Sequence, residues 1–122
     1  MQQRILLVNP WIHDFAAFDL WVKPLGLLYI GAVLKHYGYK VSLIDCLDRH
    51  HQDSLPPKQR PYGCGQFFFQ EIEKPPLFKD IPRRFKRYGI PPEVLKAQLE
   101  KTPKPSIIAV TSLMTYWYTG VF

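Results

Sequence analysis

The sequence predicts an α/β fold: a parallel sheet, incomplete at its C-terminal end, carrying a proline-rich basic insert. Three observations predict it. Three short apolar runs, Arg4 to Pro10, Lys40 to Cys46 and Ser106 to Val110, read as strands. A helical pattern lies between the first two. Loops of polar and aromatic residues follow the carboxyl ends of those strands, where open parallel sheets bind ligands.

Arg4-Ile-Leu-Leu-Val-Asn-Pro10 is a continuous apolar run, as expected of a parallel strand covered on both faces. Pro10 has no amide hydrogen for a ladder and ends it. A loop without glycine runs from Trp11 to Lys23. From Pro24 to Tyr37 the period is helical: Leu27, Ile30, Leu34 and Tyr37 form one stripe, with Leu28 and Gly31 beside it. Pro24 suits the first helical position and Gly38 the C-terminal cap. Gly26 and Gly31 lower helix propensity, but let the helix lie close to a sheet or a ligand. With Lys40 to Cys46 as second strand this makes a βαβ unit, with a right-handed crossover expected. The third strand, Ser106 to Val110, comes after an insert at residues 54–105 that carries ten of the twelve prolines. Within it, Pro91 to Lys101 reads as a short helix with Val94, Leu95 and Leu99 on its apolar side. The rest reads as extended, turn-rich chain. Inserts of this length are usually functional or make interdomain contacts.

Composition narrows the function. A chain of 122 residues is one domain at most. Its 47% hydrophobic content is that of a folded protein, which excludes wholesale disorder. No apolar run approaches the roughly eighteen residues that span a membrane. The N-terminus goes straight into a strand-like run without the features of a signal peptide, so a cytoplasmic protein with no membrane partner is expected. Cys46 and Cys64 form no CxxC pair, so they are expected to be free thiols, with no zinc or iron–sulfur site built from them. The net charge of +6 comes from one segment: residues 56–104 hold eleven Lys or Arg against five Asp or Glu, and the rest holds five against five. Arg83-Arg-Phe-Lys-Arg-Tyr88 interleaves cations with aromatics, a pattern that can grip phosphates. No DNA- or RNA-binding motif surrounds it, so nucleic acid ranks last. A solvated face, or a surface that docks acidic groups, is the commoner meaning of such a run.

Phosphate and metal chemistry lack their signatures. A dinucleotide site needs G-x-G-x-x-G directly after the first strand, and no glycine precedes Gly26. Asp45 stands where a ribose-binding acid would, but without those glycines it reads as a strand-end residue capping a turn. No Walker loop is present. His36 reads as a surface residue on the helix. His50-His51, between Asp48 and Asp53, reads as a solvated loop, since metal sites need ligands converging from several elements.

The terminal stretch Ser106 to Phe122 carries more information. Thr111, Ser112 and Thr115 bring hydroxyls. Leu113, Met114, Tyr116 and Trp117 bring broad apolar and polarizable contact. The mixture suits a large, mostly flat ligand with polar edges. Equally, Leu113 and Met114 could fill core while Trp117 packs beneath a following helix. Residue types alone leave the two readings level.

Thr111-Ser-Leu-Met-Thr115 resembles the S-x-L…T loop of cobalamin-binding Rossmann-like domains: Thr111 stands at the Ser position, and Leu113 and Thr115 match. Ile5-Leu-Leu-Val-Asn-Pro10 and Lys23-Pro-Leu-Gly-Leu-Leu-Tyr-Ile-Gly-Ala-Val-Leu-Lys35 resemble the opening of radical SAM enzymes that carry such a domain. Pro82 to Gly89 and Met114 to Gly120 are similar to one branch of that family. The resemblance implies a flavodoxin-like, Rossmann-like domain whose cofactor is cobalamin, held by Asn9, Pro10, Thr111, Ser112, Leu113, Met114, Thr115 and Tyr116. It also implies a radical SAM catalytic domain in cis, which would hold a 4Fe-4S cluster and S-adenosylmethionine. The cluster motif C-x-x-x-C-x-x-C is absent from these residues. That chemistry is therefore expected outside residues 1–122, with this chain binding and not catalysing on its own. The D-x-H-x-x-G motif of other cobalamin domains is not reproduced: Trp11-Ile-His-Asp-Phe15 puts His before Asp and has no Gly. The resemblance thus carries over no histidine ligand to cobalt. His13 is the candidate on the corresponding loop, and Asp48-Arg-His-His-Gln-Asp53 reads as a decoy. These departures motivate an alternative, a cofactor-less interaction or regulatory domain that docks a catalytic domain through the insert.

Overall fold

The computed structural model describes residues 2–20, 23–51 and 60–122. In chain order, β1 (Arg4–Asn9) is followed by two short strands, β2 (Ile12–Asp14) and β3 (Phe18–Asp19). Helix α1 (Leu25–His36) and β4 (Lys40–Asp45) come next. The insert supplies β5 (Gly65–Gln66), β6 (Phe69–Glu71), β7 (Lys86–Tyr88) and helix α2 (Pro92–Lys101), and β8 (Ile107–Val110) follows it.

The architecture is α/β with one parallel sheet of three strands, ordered β4-β1-β8. Leu6 stands opposite Ser42 on one side and Ile108 on the other. Because successive strand residues point to opposite faces, β1 feeds two cores. Ile5 and Leu7 pack with Leu27 of α1, while Leu6 packs with Ile44, Cys46 and Ile90. Val94 and Leu95 of α2 cover that second face. A middle strand buried on both sides is why residues 5–8 read as unbroken apolar sequence.

The helix stripe is rotated from the expected one. Leu27 and Gly31 are buried and Leu34 packs partly, whereas Ile30 and Tyr37 are 54% and 75% exposed. Gly31 is the cause. A Cβ there would stand 2.9 Å from Leu7 Cδ1, so the helix approaches the sheet along Leu27, Gly31 and Leu34. Pro24 precedes the helix as its cap, and Gly38, with φ of +88°, turns the chain out of it. As the outer strand, β8 leaves the apolar Ile107, Ile108 and Val110 exposed.

The insert is not loose extended chain. β2 pairs antiparallel with β7, Ile12 opposite Tyr88, and β7 pairs with β6. β3 pairs with β5. The stretch expected to be a loop after β1 therefore holds two strands, whose partners lie in the insert. Runs of two or three residues are too short for periodicity to register. A further core of Ile12, Leu47, Phe67 and Tyr88 forms where these strands meet. The interleaved cations are largely spent inside the domain. Arg83 lies over Phe15 at 5.7 Å, Lys86 over Phe69 at 5.0 Å and Arg87 over Trp11 at 5.5 Å. The Arg84–Glu71 pair is exposed and 3.8 Å long, which contributes little. Gln52, Asp53 and the first residues of the insert, 54–59, lie outside the described residues. Among the described residues no helix is long and apolar enough to cross a membrane.

Candidate functional site

A cavity of about 190 Å3 opens at the carboxyl ends of β1 and β8, beside the start of α1. The strand order explains its position. From β1 the chain crosses to β4 on one side, and from β4 it returns to β8 on the other, so a crevice is left where the connections part. Asn9 and Pro10 leave β1 into it, and Thr111, Ser112 and Leu113 leave β8 into it. Lys23 and Gly26 line the α1 side, and Leu47 closes the side next to β4.

Hydrogen bonds hold these walls. Asn9 Nδ2 donates to Asp45 Oδ1 at 2.8 Å, and the Leu47 amide donates to the same oxygen at 2.9 Å. Asp45 thus caps the turn after β4 and ties two strand ends together. The Thr111 amide donates to the Val8 carbonyl at 3.1 Å, carrying the ladder into the loop. Ser112 Oγ donates to the Met114 carbonyl at 2.9 Å. Two indoles complete the lining. Trp11 Nε1 donates to the Ile90 carbonyl at 2.7 Å, and Trp117 Nε1 donates to Asp14 Oδ2 at 2.8 Å. Both rings are fixed with their N–H groups satisfied, so they offer the cavity apolar surface.

Of the residues expected at the site, Asn9, Pro10, Thr111, Ser112 and Leu113 converge on this cavity. Met114, Thr115 and Tyr116 do not line it. After Leu113 the chain enters a 3-10 segment, Thr115–Gly120, which presents Trp117 inward and leaves Tyr116 exposed. Gly120 seats that segment directly on β2: a Cβ there would come 2.1 Å from the Trp11 carbonyl oxygen. Lys23, Leu47 and Trp11 are additions that the sequence did not single out, while Trp117, read there as either ligand contact or packing, both lines the cavity and packs on the core. Of the two helix glycines expected to allow close approach, Gly31 does so against the sheet and Gly26 does not. A Cβ at Gly26 meets nothing within 4 Å, so it lies against the open cavity.

His13 does not reach this cavity. Ile12 points into it, and by strand alternation His13 points away. Its Nε2 is buried with no hydrogen-bond partner. Burial lowers its pKa, and the neighbouring Arg87 charge lowers it further. His36 and His50 are exposed, and the His50 amide donates to Asp48 Oδ1. Among the described residues no three metal-ligating side chains converge. Both cysteines are free. Burial, then the Asp45 charge, pushes the Cys46 thiol up to about 12, so it stays protonated and inert.

A stretch of 58 residues is 38% identical to the cytidylyl-2-hydroxyethylphosphonate methyltransferase of Streptomyces wedmorensis. The match covers 44% of this chain and 10% of that enzyme. No family model matches the chain. No solved structure matches it either.

Proposed function

We propose that this chain is a cobalamin-binding module of flavodoxin-like topology, serving a radical SAM methyltransferase whose catalytic domain is in cis. The carrying observation is the cavity where the Asn9-Pro10 end of β1 meets the Thr111–Leu113 loop after β8, at the reversal of strand order. The strand order, the loop sequence and the partial likeness to a methyltransferase all support it.

The residues present fit part of such a cofactor. The cavity is smaller than the roughly 300–1,000 Å3 of sites that engulf a drug-sized ligand, so it would take one flat ring system and not a macrocycle. The indoles of Trp11 and Trp117 suit the base of a nucleotide tail. Asn9, Thr111 and Lys23 suit its polar edge. Met114 and Tyr116, on the exposed continuation of the lining loop, would offer apolar contact to what protrudes. No imidazole or thiolate lines the cavity. When bound, the corrinoid supplies methyl-transfer chemistry; this chain's residues bind it and orient it. The cluster and S-adenosylmethionine belong to the catalytic domain.

Titrating the chain with hydroxocobalamin and following the visible spectrum is expected to give a saturable change at one equivalent. An unchanged spectrum with folded protein refutes the reading. Gly26→Leu sharpens the test. Gly26 lines the cavity, and a Cβ there meets nothing within 4 Å, so the substitution begins in open space. It should lower cobalamin affinity about tenfold or more, a loss of about 1.4 kcal/mol. Replacing a helical glycine should also raise stability by about 0.5–1 kcal/mol. Affinity and melting temperature thus move in opposite directions, which a misfolded variant cannot mimic.

A second reading, a cofactor-less docking domain, draws on the exposed apolar residues Tyr29, Ile30 and Val33 of α1 and Ile107 and Ile108 of β8. It relies on that apolar surface more than on the basic run 83–88, three of whose four cations lie over aromatic rings. Absence of any spectral change would favour it.

A further inference from the structure

A second cavity, about 430 Å3, lies behind β2. His13 of β2, Glu73 and Lys74 of the insert, Phe85 and Thr119 line it. Two buried polar atoms with no hydrogen-bond partner belong to its lining residues, His13 Nε2 and Thr119 Oγ1. Buried polar groups are normally paired, so both sit at a place where the packing is easily undone.

The two cavities share a wall. The segment Thr115–Gly120 packs on β2, with Trp117 lining the first cavity and Thr119 the second. Its apolar anchor is Trp117, packed against the core of Ile12, Leu47, Phe67 and Tyr88. Trp117 Nε1 donates to Asp14 Oδ2, and Gly120 rests on the Trp11 carbonyl. His13 and Asp14 are neighbours on the strand that carries the segment.

The surroundings of His13 suit only a neutral imidazole. Arg87 stands directly opposite it in the β2–β7 ladder. Lys74 adds a second cation, with its Nζ held by the Ile81 carbonyl at 2.6 Å. Both Asp14 oxygens are engaged, one by the Trp117 indole and one by the Phe15 amide at 2.7 Å. Glu73 is the carboxylate that lines the cavity. A protonated His13 would be a half-buried cation facing Arg87, with its buried Nε2–H unpaired, and such a charge moves to water.

We propose that His13 and the Thr115–Gly120 segment form a pH-sensitive latch on the first cavity. With His13 neutral, the segment stays seated and holds Trp117 in the cavity wall. With His13 protonated, the imidazolium turns out of its half-buried position to hydrate Nε2, Thr119 loses its packing, and the segment lifts with Trp117. The lifted state binds the proton more readily. Closure is therefore complete above the ordinary histidine value of about 6.5 and is lost as pH falls below it. Its consequence for a bound ligand rests on the cobalamin reading; the latch itself does not.

Hydrogen exchange on the ligand-free 122-residue chain tests it apart from any ligand. Between pH 7.5 and pH 5.5, protection factors across residues 115–120 should fall by up to about tenfold in all, most of it below pH 6.5. Those of β1 and β4 should hold. His13→Gln, which cannot take the proton, should remove the pH dependence of that segment alone. Should the variant fail to fold, the wild-type His13 imidazole NMR titration must share its midpoint with the Trp117 indole N–H shift. Protection unchanged at pH 5.5, a persistent pH dependence in His13→Gln, or two separate midpoints would each overturn the latch. If the latch holds and hydroxocobalamin does not bind, the ligand reading alone fails.

Discussion

Gly89→Ala is expected to be the most damaging small substitution in this chain. Gly89 has a φ of +128°, which side-chain-bearing residues scarcely enter. A Cβ built there would stand 2.3 Å from the Cys46 carbonyl oxygen and 2.7 Å from Trp11 Cδ1. The first of these is backbone and cannot swing away. Its position is fixed because the Ile90 amide donates to that same Cys46 carbonyl at 2.7 Å. The Gly89 amide in turn donates to the Phe68 carbonyl at 2.7 Å. Moving residue 89 breaks the seam between the parallel sheet and the insert. It also displaces Ile90, which is fully buried. Combined strain and lost packing should cost about 3 kcal/mol or more, lowering Tm by roughly 10 °C or more. Gly38→Ala is the matched control. Gly38 has φ of +88° but open space around its missing Cβ, so only the backbone term remains, about 1 kcal/mol. Thermal unfolding followed by circular dichroism separates the two. Equal losses would mean that the close approach to Cys46 carries no weight.

Gly89 also marks where sequence reasoning stops. The parallel sheet was legible because its cause is local: β1, α1 and β4 have runs long enough for apolar period to register, and prolines and glycines punctuate them. The insert's strands were not. Ile12–Asp14 is held in place by Lys86–Tyr88, a partner distant in the chain, and no local pattern announces it. The helix was legible and its buried face in part: Leu27 and Leu34 pack as expected, but the close approach at Gly31 turns Ile30 and Tyr37 out to the surface. At the site the same division holds. Asn9, Pro10 and Thr111 to Leu113 follow from being at strand ends, which sequence does give. That Trp117 and not Tyr116 turns inward depends on Gly120 seated on the Trp11 carbonyl, a contact between residues far apart in sequence. Arg49 is the sharpest case. Between Asp48 and His50 it reads as part of a solvated loop, yet it is 2% exposed.

Its partner is Asp19 of β3, also 2% exposed, with Arg49 Nε 3.1 Å from Asp19 Oδ2. The pair is close, but the Nε–H is not aimed at that oxygen, and Arg49 Nη1 and Asp19 Oδ1 have no hydrogen-bond partners. Arg49 Nη2 donates to the Gly63 carbonyl. One guanidinium thus joins three stretches: the chain after β1, the loop after β4 and the turn at Pro61–Gly63. Arg49→Met strands a buried carboxylate and Asp19→Leu strands a buried guanidinium. Each should cost about 3–5 kcal/mol. The double variant Asp19→Leu/Arg49→Met strands no buried charge and should cost far less than the sum, because desolvating two imperfectly paired charges is itself expensive. Denaturant unfolding of the four proteins in a double-mutant cycle measures this; additive losses would show that the two residues act separately. The same set bears on the first cavity. Lys23 lies beyond Asp19 and Leu47 precedes Arg49, each on a stretch that the pair secures. If the pair merely positions those stretches, affinity for hydroxocobalamin should fall in each single variant and recover in the double. If the charges themselves matter to the ligand, affinity should stay low in the double variant although its stability returns.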